Sequence, residues 1–277
     1  MSRVLITGGT GSLGRELQPR LLAAGYTVRV MSRRAPRPGE TAQVEWAQAS
    51  LESGEGLAEA FNGVNVVLHL ASNPAKRQVD VEGTGRLLDQ ARAAGVEHFV
   101  YISIVGIDQI GFAYYQNKLA AEQLIEASGV PYSILRATQF HEFIDRLLQP
   151  LTRLPIVFIP TNWYFQTISA VEVAEHLVAA VQRGPGGRLP DIGGPGVLRS
   201  DEMARIWLAA QGKRRPIVHL PVPGKLSTGV RQALNTTPQH TVGKLTWAEW
   251  VTRRYANPAQ RDATGSSSQA AERKMSA

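Results

Sequence analysis

The sequence predicts a doubly wound α/β fold: a parallel Rossmann sheet with helices on both faces. Three observations carry this. Short β-branched runs alternate with helically spaced stretches through the first 140 residues, no tight hairpin turn joins any two of those runs, and a glycine-rich loop links the first run to the first helical stretch. Parallel neighbours need long crossovers, and an alternating strand and helix order supplies them with right-handed connections.

Taken in order, Val4–Thr7 is an apolar run bounded by glycine and reads as a buried strand. Leu13, Leu17 and Leu21 recur at helical spacing, and Gly25 stops that helix as a left-handed cap does. Thr27–Met31 and Val44–Ala47 are the next strands. Val64–Leu70 is continuously apolar, as expected of a strand covered on both faces. A helix carrying Leu87, Leu88 and Ala91 ends at Gly95, before the strand Phe99–Ile104. Another, with Leu119, Leu124 and Ile125, closes at Gly129, and Tyr132–Leu135 follows Pro131.

Past residue 140 the rhythm loosens, with Pro150, Pro155 and Pro160 interrupting any long element. Two capping boxes, Ser169 with Glu172 and Thr246 with Glu249, open later helices. The expected organisation is a Rossmann core over 1–140, a substrate-side α/β extension of the same domain over 141–255 that covers the cofactor crevice, and a disordered tail over 256–277, which includes Gly265-Ser-Ser-Ser268 and lacks apolar periodicity.

Composition narrows the chemistry. With 43% hydrophobic and 19% charged residues, the 277-residue chain supports a packed core. The absence of Cys excludes disulfides, thiolate metal sites and a cysteine nucleophile, and the six His lack metal-ligand spacing, so no metal is expected. The net charge of +7 is scattered; its densest clusters are Arg33-Arg34 and Lys213-Arg214-Arg215. Neither is a long basic tract with interleaved aromatics, so an anionic small ligand is expected rather than nucleic acid. No run approaches the ~20 apolar residues needed to span a bilayer, and the apolar start is too short for a signal peptide. A cytoplasmic protein with a small-molecule substrate and no membrane partner is expected.

Thr7-Gly8-Gly9-Thr10-Gly11-Ser12-Leu13-Gly14 lies between the first strand and the first helix. Glycine is wanted there because a pyrophosphate must reach backbone N–H groups at a helix N-terminus, and Gly14 lets the helix sit close on the sheet. The second strand ends Val30-Met31-Ser32-Arg33-Arg34, without the acid that binds an adenosine 2′-hydroxyl. Ser32 offers a hydrogen bond, and Arg33 and Arg34 offer charge-assisted ones to a 2′-phosphate, which favours NADP(H) over NAD.

With these residues assembled, and with His69-Leu70-Ala71-Ser72, Asp80-Val-Glu-Gly83-Thr84, Phe99-Val-Tyr-Ile-Ser103, Tyr114-Tyr-Gln-Asn-Lys118 and Ile134-Leu-Arg136-Ala-Thr138-Gln-Phe140, the sequence resembles the short-chain dehydrogenase/reductase superfamily, within it the atypical NmrA-like group, over residues 3–255. The resemblance implies that Leu70, Ala71 and Ser72 line the adenosine side and that Thr138 lies near the nicotinamide. It implies Tyr114 as general acid and Lys118 as the residue that holds the nicotinamide ribose; the two are one helical turn apart on one face. A neighbouring ammonium is expected to lower the tyrosine pKa. Ser103 is the hydroxyl available at the end of the fifth strand, although the family often places it at the position of Ile104 or Val105. Asp80 stands where the family has a helix asparagine, and Ser50 where it often has an acid beside the adenine. Phe140, His141 and Gln166 are the expected substrate-pocket residues, while His69 reads as a core histidine. The family often pairs subunits through sheet-flanking helices, which implies a homodimer. The leading expectation is NADPH-dependent hydride transfer to a small carbonyl or quinone-like acceptor; the alternatives are a non-catalytic NADP-binding redox sensor and a sugar-nucleotide epimerase.

Overall fold

A computed structural model describes residues 2–256; the tail expected at 256–277 falls, but for Ala256, outside the described residues. The central sheet joins β1 (Arg3–Thr7), β2 (Thr27–Ser32), β3 (Glu45–Gln48), β4 (Val66–His69), β5 (His98–Ile104), β6 (Tyr132–Ala137) and β9 (Gly187–Arg188) in the order β3-β2-β1-β4-β5-β6-β9, and every pairing is parallel. The chain therefore reverses its winding between β1 and β4, and a ligand crevice opens beyond the carboxyl ends of strands at such a switch point.

Each face of the sheet buries its own apolar cluster. On one side α1 (Ser12–Ala23) and α6 (Ala170–Arg183) cover Val4, Ile6, Val30, Leu68 and Val100. On the other, α2 (Leu57–Ala60), α3 (Gly83–Ala93) and α4 (Ala113–Ala127) cover Leu5, Val67, Phe99, Tyr101 and Ile134. Two-sided burial explains why β4 and β5 are mainly apolar rather than alternating. Both α6 and β9 lie beyond residue 140, so the segment expected to extend the same domain supplies an edge strand of the sheet and a helix of one of its layers. The two-residue strand Gly187–Arg188 is too short and too polar to register as a strand in the sequence.

The rest of that segment forms a cap. It comprises α5 (His141–Leu148), a 3₁₀ segment (Gln149–Arg153), β7 (Val157–Pro160), β8 (Tyr164–Gln166), β10 (Val197–Arg199), α7 (Ser200–Ala210), β11 (Ile217–Leu220), α8 (Lys225–Arg231) and α9 (Trp247–Tyr255). Its own core gathers Ile144, Leu148, Val157, Ile159, Met203, Trp207, Trp247 and Val251. β8 pairs antiparallel with β10, and β7 pairs parallel with β11. Both capping boxes form as the sequence implies: Ser169 and Glu172 open α6, and Thr246 and Glu249 open α9. Among the described residues no helix is long and apolar enough to cross a membrane.

Candidate nucleotide-binding and active site

The glycine loop is held by contacts that leave no room for side chains. Gly8 has φ +70°, and a Cβ there would stand 2.7 Å from the Ala71 backbone nitrogen. A Cβ on Gly14 would lie 2.5 Å from both the Gly9 Cα and its carbonyl oxygen, so α1 rests directly on the loop. Gly11 is the N-cap of α1; no side chain caps this end and no acid occupies its first turn. Ser12, Leu13 and Gly14 form that first turn, with Leu13 and Gly14 buried, so it offers backbone N–H groups and the positive end of the helix dipole.

A polar network fixes the loop against β4. Thr84 donates its hydroxyl to the Asp80 carbonyl (2.6 Å), so it accepts from His69 Nε2 (3.0 Å); His69 Nδ1 then accepts from the Thr7 hydroxyl (2.7 Å). Thr7 Oγ1 in turn accepts from the N–H groups of Leu70 and Ala71, each at 3.2 Å. His69 is thus a satisfied core residue, as expected.

Beside the loop lies a cavity of about 330 Å³ lined by Gly8, Thr10, Gly11, Ser32, Arg33, Leu70, Ala71 and Ser72, together with Met31, Leu51, Glu52 and Asn73. Eight residues assigned from sequence to the cofactor therefore meet in one place. Arg33 is exposed and forms no ion pair among the described residues. Arg34 requires a correction: its guanidinium grips Glu40 at 2.6 and 2.7 Å and lies 5.1 Å over the Trp46 ring, so it is committed to its own loop. That fork holds the Glu40 carboxyl down to about 2. Glu52, which the sequence reading missed, reaches the cavity two residues after Ser50 and is paired with Lys76 at 2.8 Å.

The residues assigned to chemistry cluster where β4 and β5 end. Asp80 is buried on a π-helical turn, Gln78–Glu82, a rare geometry that recurs at functional sites. Both its carboxylate oxygens accept from the Asn73 N–H at 3.3 Å. Burial raises the Asp80 pKa, and Ser72 and Lys118 partly oppose that rise. The Tyr114 and Ser72 hydroxyls share a hydrogen bond of 2.9 Å. Lys118 is buried, donates to the Ile102 carbonyl at 2.7 Å and stands 4.0 Å from the Tyr101 ring centre. Neither Lys118 nor Thr138 lines the cavity. Burial lowers the Lys118 pKa to about 8, with Asp80 and Glu122 pulling the other way.

Tyr114 differs from expectation. Burial, with the charge of Asp80 and the neighbouring Tyr115 in support, pushes its phenol up to about 12. The Lys118 ammonium is spent on a strand carbonyl, and desolvation of the phenolate wins. The hydroxyls of Ser103 and Thr138 are buried at the ends of β5 and β6 without a partner. Buried polar atoms are rarely left unmade, so these two are open to a ligand.

The expected substrate-pocket residues are taken up by packing, Phe140 against the central core and His141 and Gln166 within the cap. His141 is fully buried: Nε2 donates to the Leu245 carbonyl (3.0 Å), Nδ1 accepts from Thr167 (2.8 Å), and its ring packs against both members of the stacked pair Trp247 and Trp250. Gln166 is fully buried too, donating to Gly194 O at 2.7 Å and accepting from Thr237 N at 2.7 Å. Phe140 packs on the core beside α6 and caps α5. With every polar atom already bonded, His141 and Gln166 have nothing to offer a substrate. Asn235, which carries no sequence motif, is fully buried between the Gln139 side chain (3.1 Å) and Tyr164 O (3.0 Å), and its Oδ1 has no partner.

Three buried imidazoles make the fold acid-sensitive. Burial lowers the pKa of His69 to about 3 and those of His98 and His141 to about 4. An unfolded histidine titrates near ~6.5, so between that pH and the folded values the unfolded chain binds more protons. Stability is complete above pH ~6.5 and falls with acid, by at most about 3–5 kcal/mol per group once the folded values are passed, against a total of about 5–15 kcal/mol. The melting temperature should therefore drop steeply between pH 6.5 and 4.5 in calorimetric scans, and less steeply in His98→Gln. Identical slopes for the two proteins would remove His98 from this account. Among the described residues no group of three or more His, Asp or Glu is arranged to hold a metal ion.

Comparison with known proteins agrees with this geometry. A family described as NAD(P)H-binding matches residues 8–183. Photosystem II assembly factor Ycf39 of Trieres chinensis is 28% identical over 189 residues, 65% of this chain and 59% of that protein, so the chain spans less than two thirds of that relative's length. A 4-hydroxy-2-methyl-3-oxo-4-farnesyl-3,4-dihydroquinoline-1-oxide ketoreductase of Stigmatella aurantiaca is 27% identical over 257 residues, covering 79% of this chain and 76% of that one. Among solved structures, a nucleoside-diphosphate-sugar epimerase from Staphylococcus aureus superposes with a TM-score of 0.74 at 19% identity, over 91% of this chain and 100% of that one; at this identity the likeness bears on the fold alone. Glycine loop, sheet order, crevice and family match agree: the chain belongs to the NAD(P)H-binding family, within the atypical short-chain dehydrogenase/reductase group.

Proposed function

We propose that this protein is an NADPH-dependent reductase of a small, apolar carbonyl or quinone-like acceptor. The observation that carries the reading is the cluster Asp80–Ser72–Tyr114–Lys118, which meets the glycine-loop cavity through Ser72, a residue that lines it together with Gly8, Gly11 and Arg33. A dinucleotide fits these residues: the loop excludes a Cβ at Gly8 and Gly14, α1 is uncapped, and Ser103 and Thr138 hold unpartnered hydroxyls.

The nicotinamide, when bound, supplies the hydride. Tyr114 donates the proton to the developing oxyanion of the acceptor, and the Lys118 ammonium orients the ribose. A phenol raised to about 12 keeps its proton at working pH, so the resting site holds the proton that a reduction consumes, while the same shift makes it a weaker acid than a free tyrosine. The ketoreductase activity of the Stigmatella relative supports a ring carbonyl on an apolar substrate.

The second reading is an NADP-binding sensor, favoured by the same Tyr114: its hydroxyl already bonds Ser72 and sits behind a high pKa. Turnover separates the two. The reductase reading expects NADPH oxidation with members of a carbonyl and quinone panel, whereas tight binding with no acceptor throughout the panel favours the sensor. Cofactor choice is tested apart from activity. Removal of a charge-assisted contact costs about 1.5–3 kcal/mol, so Arg33→Ala should weaken NADPH by tenfold or more in calorimetry and leave NADH within about twofold. Equal losses remove Arg33 from the 2′-phosphate.

A further inference from the structure

The basic run Lys213-Arg214-Arg215 has no place in the nucleotide site, and its surroundings give it one elsewhere. It follows α7 and leads directly into β11, which pairs in parallel with β7, Val218 opposite Phe158. The inner face of this two-stranded sheet packs into the cap core through Val157 and Ile159. Strand alternation puts Ile156, Phe158, Val218 and Leu220 on the opposite face, where they are 36%, 41%, 39% and 44% exposed. Four large apolar side chains thus form one strip that no other described residue covers.

At the amino end of β11 the cations converge. Arg205, Lys213, Arg214 and Arg215 line a single concavity of about 480 Å³. Arg205 is paired with Asp201 at 2.9 Å, and Lys213 with the Gln211 side chain at 2.9 Å. Arg214 and Arg215 are exposed and make no ion pair among the described residues. An apolar strip bordered by unpaired arginines is the pattern of a surface that enters the headgroup region of an anionic bilayer, with apolar groups at the acyl boundary and guanidinium groups on phosphates. A second copy of this chain is a poor occupant, because it carries the same unpaired cations beside the same strip and the same net charge of +7. Nucleic acid leaves the strip unexplained, since Phe158 is its one aromatic group.

We propose that the outer face of β7 and β11, with the Arg205–Arg215 concavity, docks this protein on the surface of an anionic lipid bilayer. The association is peripheral and independent of the acceptor reduced at the nucleotide site. It would nonetheless bring a lipophilic acceptor within reach.

The test is co-sedimentation of the full chain with vesicles of phosphatidylcholine alone or of phosphatidylcholine containing one-third phosphatidylglycerol. Binding is expected only to the anionic vesicles and should fade at high salt. At about 1 kcal/mol per cation, Arg214→Gln with Arg215→Gln should reduce partitioning about 30-fold. Phe158→Ser with Val218→Ser should reduce it at least tenfold. NADPH affinity, read by calorimetry, should remain at the wild-type value in both pairs and shows that they are folded; should the serine pair lose it, Leu220→Ser alone takes its place. Absence of binding to anionic vesicles overturns the proposal and leaves the face to an acidic soluble partner. So does equal binding to both vesicle types, or binding that survives either pair of substitutions.

Discussion

Gly14→Val is expected to abolish nucleotide binding while leaving a folded chain. A Cβ at this position would stand 2.5 Å from the Gly9 Cα and 2.5 Å from its carbonyl oxygen, a separation at which backbone must move. The helix cannot retreat cheaply, because Leu13, Leu17 and Leu21 anchor α1 in the main core. The loop therefore yields, and with it the alignment of backbone N–H groups that a pyrophosphate needs. Overpacking of this kind costs about 1–3 kcal/mol of stability, within what a domain of this size tolerates. NADPH affinity should fall by more than about 100-fold, since one displaced turn forfeits several charge-assisted bonds at ~1.5–3 kcal/mol each. Gly85→Ala is the control. It lies within α3, its Cβ would meet nothing within 4 Å, and alanine is the better helix former, so binding should be unchanged and the melting temperature slightly higher. Undiminished NADPH binding by the Gly14 variant would remove the loop from the site.

The nucleotide half of this site was legible because its chemistry is local. A glycine loop between strand and helix depends on a few consecutive residues, and so do the Ser32-Arg33 strand end and the one-turn spacing of Tyr114 and Lys118. What the sequence concealed is decided by partners far along the chain. His141 spends Nε2 on Leu245, 104 residues away, and Gln166 is satisfied by Gly194 and Thr237. Nothing near either residue announces those bonds. Arg34 was misplaced for a subtler reason: Glu40 is only six residues on, but a loop of undefined shape separates them, and only the fold shows that it closes into a fork. The rise in the Tyr114 pKa follows the same logic. Spacing put an ammonium on its helix face, and the decisive quantity was the desolvation created by the surrounding cap.

Tyr114→Phe is expected to reduce turnover by about 10²–10⁴-fold, the usual worth of a positioned general acid, while NADPH affinity stays within a few-fold. The hydroxyl, not the ring, is at issue: Phe keeps the edge-on packing with Phe112 and the tilted contact with Tyr115 and removes only the bond to Ser72. The pH profile adds a discriminating readout. With the phenol held near 12, ionisation of Tyr114 lies outside any practical range, so the alkaline fall in activity must come from another group. Lys118 is that group. Burial lowers its pKa to about 8, so the ammonium that orients the ribose is present below that pH and is lost as pH rises through it. Reduction should therefore be flat towards neutrality and decline above about pH 8. In Lys118→Met that limb should vanish, with a raised KM for NADPH, while in Tyr114→Phe the limb persists on a much lower rate. Turnover in Tyr114→Phe equal to that of the parent would dismiss this tyrosine as the acid. The cluster around Asp80 would then have to act through one of the unpartnered hydroxyls, Ser103 or Thr138.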